Sequence, residues 1–65
     1  MTQKELLYVE DAIGHEKSLI KILEEEISSA KDDEIVEFLE EEVTIHQNIE
    51  DKLTSLLEEK AWMID

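Results

Sequence analysis

Ala30-Lys31-Asp32-Asp33-Glu34-Ile35 is the stretch that decides the fold. On both sides of it the chain reads as helix, and here the apolar pattern stops. Asp32 or Asp33 can accept hydrogen bonds from the free N–H groups that open a helix. Glu34 and Glu37 then fall near the start of that helix, where negative charge suits its dipole. Residues 31–33 are therefore expected to form a tight turn. A connection this short makes the flanking helices antiparallel neighbours.

Upstream, a helix is expected over about residues 3–30. Leu6, Ile13, Ile20 and Ile27 repeat every seven residues, with Val9, Glu16, Leu23 and Ala30 beside them. That is the a/d seam of a helix that packs lengthwise on another. Ala12 and Leu19 widen the seam into a broader stripe. Downstream, a second helix is expected over about residues 34–61. Its stripe is Ile35, Leu39, Val43, Ile49, Leu53, Leu56 and Leu57, with Phe38 and Ile45 at the edge. Pro is absent and Gly occurs once, as suits long helices. Gly14 marks either a bend or close approach, or a tolerated surface position.

The fold class follows: all-α, an antiparallel two-helix hairpin forming a single domain over residues 1–65. A chain of 65 residues buries only about 60% of the surface it exposes when unfolded. Such a chain usually needs a disulfide, a metal or a partner, and there is no Cys. Two helices about 40 Å long cannot cover both of their stripes with each other. A homodimer or higher oligomer, completing a four-helix bundle, is the expected solution. Trp62, Met63 and Ile64 are expected to cap its open end.

The formal net charge is −13, with 19 acidic residues against 6 lysines and no arginine. Phosphate-binding surfaces need clustered Lys and Arg, so nucleic acid and anionic membrane are not expected partners. Cations and basic proteins suit the charge better. No apolar run reaches membrane-span length, and no signal-peptide core follows Met1-Thr2-Gln3-Lys4. A soluble, cytoplasmic protein is expected. From Glu24 to Glu42, ten acidic residues face Lys31 alone. They form either a docking patch or, more simply, a solvated helix face. Asp32-Asp33-Glu34 is too short for a calcium loop. No glycine-rich loop and no nucleophile–base pair stands out, so enzymatic activity is not an expectation of the sequence.

The residues that break the stripe carry the functional question. Glu16 occupies a seam position between Ile13 and Ile20. Glu42 lies one turn after Leu39, and His46 one turn after Glu42. Folding the chain about residues 31–33 places Glu16 and His46 in one layer, with Glu42 beside it. His15 sits at the stripe edge. Burying such groups unpaired costs several kcal/mol, so something must compensate for them. One solution is a divalent metal held by Glu16, Glu42 and His46, with His15 near enough to join and Glu10 outside it. The other is a Glu16–His46 hydrogen bond that fixes register.

The segment Glu5-Leu6-Leu7-Tyr8-Val9-Glu10-Asp11-Ala12-Ile13-Gly14-His15-Glu16-Lys17 resembles the first helix of small spore-coat-like proteins of the ferritin-like superfamily. Ile45-His46-Gln47-Asn48-Ile49 is similar to their second helix. The resemblance implies a ferritin-like bundle, a spore-associated setting and a metal such as Fe, Mn or Zn. It matches Glu16 to the superfamily's lone glutamate and His46 to the histidine of its Glu-x-x-His motif. The motif glutamate would fall at Val43. Glu42 stands instead at Glu-x-x-x-His spacing, which still shares one helix face but departs from the superfamily's di-iron pattern. Two readings stay open: a metal-binding bundle, and a structural or adaptor hairpin that holds a protein partner.

Overall fold

The computed structural model describes residues 1–63. Two helices make up the fold, α1 (Gln3–Ser29) and α2 (Asp33–Lys60). They lie antiparallel in a rod with extents of 50 × 14 × 11 Å. The expected hairpin is the observed one. The helices start and stop within a residue of the expected limits.

Each boundary has a local cause. Thr2 caps α1 through a capping box: its hydroxyl accepts from Glu5 N–H at 3.0 Å, and Glu5 accepts from Thr2 N–H at 2.7 Å. These reciprocal bonds satisfy two N–H groups that the helix itself leaves free. The bond from the Thr2 backbone, then that from its hydroxyl, holds the Glu5 carboxyl below its ordinary pKa. Thr2-x-x-Glu5 was legible in the sequence and was not among the expected features. At the far end of α1, Ala30 leaves the helix with extended dihedrals while its N–H still reaches the Glu26 carbonyl at 2.8 Å. Of the two candidate caps for α2, Asp32 is the one used. Its carboxylate accepts from Glu34 N–H at 2.9 Å and Ile35 N–H at 3.3 Å.

The helices meet along matching seams. On α1 the seam residues Leu6, Val9, Ile13, Glu16, Ile20, Leu23, Ile27 and Ala30 are at least half-buried, and Ile20 is 7% exposed. On α2 the seam is Val36, Leu39, Val43, His46, Glu50, Leu53, Leu57 and Ala61. Both alternate steps of three and four residues up to the final step from Leu57 to Ala61, the spacing of helices packed side by side. The α2 seam corrects the expected stripe. Val36 and Glu50 face α1, whereas Ile35 is 52%, Ile49 37% and Leu56 36% exposed. The physical reason is that the contact row is narrow. Moving one residue along a helix turns a side chain by about 100°, which carries Ile35 and Ile49 off the line of closest approach.

Gly14 is a tolerated surface glycine: its φ is not positive, and a Cβ built there meets nothing within 4 Å. In the single hairpin Trp62 is 79% and Met63 48% exposed. The ends are joined through the backbone, where the Met1 amino group donates to the Met63 carbonyl at 2.9 Å. Ile64, expected to cap the open end with Trp62 and Met63, lies outside the described residues. Among the described residues no helix is long and apolar enough to cross a membrane.

Candidate functional site

Halfway along the rod the apolar seam is interrupted by polar groups from both helices. Glu16 comes from α1, where the flanking seam residues Ile13 and Ile20 fix its direction. His46 comes from the matching level of α2, and Glu42 stands one turn before it on the same helix. The Nδ1 of His46 lies 2.6 Å from Glu16 Oε2, across the helix interface. The Nε2 of His46 lies 3.5 Å from Glu42 Oε2. Side-chain exposures are 21% for His46, 18% for Glu16 and 31% for Glu42. The layer is thus partly sheltered by its apolar neighbours and open to solvent along one edge.

The imidazole is held between two carboxylates. The ring is hydrogen-bonded to Glu16, and its approach to Glu42 is a longer polar contact. Nδ1 makes the short, charge-assisted contact, so Glu16 sets the orientation of the ring. Nε2 makes the looser one, facing Glu42 near the open edge. The expected grouping of Glu16, Glu42 and His46 is therefore present. His15 is not brought to it: this side chain is exposed, on the outer flank of α1. Glu10 is exposed as well.

Glu50 is a seam residue that sequence reasoning missed. It stands seven residues after Val43 and seven before Leu57, and that spacing was the available signal. The acidic run around the turn is a solvated surface from Glu24 to Glu26 and from Asp32 to Glu34, and Glu37, Glu40 and Glu41 are exposed too. Glu42 departs from that run by turning towards His46.

Among the described residues, no cluster of three or more His, Cys, Asp or Glu is arranged to hold a metal ion within one hairpin. Two donors do suit one ion. Ligands bound at about 2.0–2.2 Å around a tetrahedral ion stand roughly 3.4 Å apart, close to the Nε2–Glu42 separation. Glu16 would then be the carboxylate that orients a ligating histidine through its other nitrogen. No protein-family model, curated protein or solved structure matches the chain.

Proposed function

We propose that this chain is a structural or adaptor hairpin, which acts by laying its helices against another helical surface. The observation that carries this reading is the distribution of apolar surface. Among the described residues Ile20, at 7% exposed, is the one buried apolar side chain, while ten large hydrophobic side chains remain a third or more exposed. Exposed apolar area on that scale marks an interaction surface. In this reading the Glu16–His46–Glu42 layer is a register key. Sliding one helix by a turn would separate Glu16 from His46 and leave both without their partner in the seam, a cost of about 2 kcal/mol for a pair this exposed.

A second reading has a specific observation in its favour. The Nε2–Glu42 separation of 3.5 Å suits two ligands of one ion, and His46 with carboxylates suits Zn, Fe or Mn. Two hairpins, each giving His46 and Glu42, would complete a four-donor site in a ferritin-like bundle. One experiment separates the two readings. Zn(II), Fe(II) and Mn(II) are titrated into chelator-treated protein, and stoichiometry and melting temperature are followed. The structural reading expects no stoichiometric uptake and an unchanged melt. Uptake near one ion per two chains, abolished by His46→Ala, would move the conclusion to the metal-binding bundle.

A further inference from the structure

Seven of the ten exposed large apolar residues share one side of the rod, Leu7 on the opposite flank and Trp62 and Met63 at the end being the others. On α1, Ala12 and Leu19 flank the seam, and Tyr8, His15 and Ile22 form the next row out, again at intervals of seven. On α2 the corresponding rows are Ile35, Ile49 and Leu56, and Phe38 and Ile45. Each set lies on the side of its seam reached by stepping one residue back from a seam position. Because the helices run in opposite directions, these two flanks meet on one broad face of the hairpin. Tyr8 and Leu56, one from each helix, indeed line a single groove.

The opposite face is different in kind. There Glu24 and Ser28 of α1 line a groove with Glu40 and Thr44 of α2. Glu10 and Lys17 continue that flank on α1, and Gln47 and Thr54 continue it on α2. The hairpin therefore has an apolar front and a polar back. In a chain of net charge −13 the front carries few acids. By helical position they are Glu5 and Glu26 near the ends of α1, Glu59 near the end of α2, where it lines a groove with Lys52 and Leu56, and Glu42, which faces His46.

We propose that a second copy of this chain covers the apolar front, giving a two-fold four-helix bundle with both polar backs outward. This names the partner of the interaction surface inferred above and rests on that reading. The areas agree with it. The chain exposes 5053 Å², whereas a compact monomer of 7.6 kDa exposes about 4300 Å². The excess is close to the roughly 800 Å² per partner of a standard stable interface. The exposed parts of Tyr8, Ile22, Ile35, Phe38, Ile45, Ile49 and Leu56 account for about 700 Å² of apolar-rich surface. Charge also selects this occupant. A basic partner would find most of the negative charge on the back and edges rather than on the front. Two copies placed front to front keep most of their acidic side chains apart and in water.

The test is sedimentation equilibrium of the full chain in chelator, over a range of concentrations. The expected result is a mass of about 15 kDa, twice the chain mass of 7.6 kDa. Ile45→Glu, in mid-front, should weaken association by at least about a hundredfold, because each interface would bury two such charges. Gln47→Glu, on the back, should leave it intact. If Ile45→Glu fails to fold, thiol labelling decides instead, since the chain has no native cysteine. Ile45→Cys should react slowly when concentrated and quickly when dilute, and Gln47→Cys quickly at both concentrations. A helical wild-type monomer, or a dimer indifferent to Ile45→Glu, would overturn the self-pairing. Association that appears only on adding Zn(II), and is lost in His46→Ala, would overturn the adaptor reading beneath it as well.

Discussion

Replacing Glu16 and His46 by leucine, singly and together, isolates the energy stored in the polar layer. Their contact is 2.6 Å long, and the side chains are 18% and 21% exposed. A hydrogen bond to a charged group contributes about 1.5–3 kcal/mol, and partial exposure places this one near the lower end. Glu16→Leu removes the short contact and leaves His46 with Glu42 alone. His46→Leu leaves the Glu16 carboxylate among Ile13 and Ile20 with no partner across the interface. Each single change should therefore cost about 1–2 kcal/mol, even after crediting some apolar burial to the new leucine. In the double variant neither polar group remains. Two leucines then extend the seam, and stability should equal or exceed that of the wild type. The coupling energy between the two sites is thus about 2–4 kcal/mol.

For a chain of 65 residues, 1 kcal/mol corresponds to about 4–8 °C in melting temperature. The single variants should melt roughly 5–15 °C lower by that measure, and the double variant at or above the parent. The assay is thermal and urea unfolding followed by the far-ultraviolet circular dichroism of the helices. All four proteins must be compared at one protomer concentration, because association shifts apparent stability. Additive losses, with the double variant less stable than either single one, would refute the reasoning. The contact would then contribute nothing beyond what each side chain contributes alone.

Three further outcomes follow from the helix ends and the lone glycine. Gly14→Ala should stabilise the protein by about 0.5–1 kcal/mol, because the added Cβ meets open space and the backbone is already helical; urea midpoints check it. Asp32→Ala should cost about 1 kcal/mol, since Glu34 N–H and Ile35 N–H both lose their acceptor, and Asp32→Asn should keep most of the stability. Glu5 sets a pH dependence. Its folded pKa lies below the ordinary value of 4.5, so its contribution is present above the unfolded pKa and disappears as pH falls through the folded one. The stability difference between wild type and Glu5→Gln should therefore be flat near neutral pH and shrink in acid, as denaturant midpoints across pH would show.

The hairpin was legible because its signals are local. Asp32 supplies the cap, no proline interrupts either helix, and Leu6, Ile13, Ile20 and Ile27 repeat at a spacing that only helix pairing explains. The Glu16–His46 layer was legible for a related reason. Glu16 is bracketed by Ile13 and Ile20 however the seam is drawn, and counting outward from the turn sets His46 opposite it. The α2 seam was not legible in the same way. Ile35 and Val36, or Ile49 and Glu50, are neighbours about 100° apart, and hydrophobicity alone ranks each isoleucine as the inner residue. Which one faces α1 depends on the line of closest approach, a property of both helices together. That line selects Val36 and Glu50 and leaves both isoleucines on the front. A lone hairpin would have no use for isoleucine there and a carboxylate in the seam. The arrangement becomes consistent once the front is treated as a second seam, with hairpin pairing fixed by one apolar row and assembly by the next.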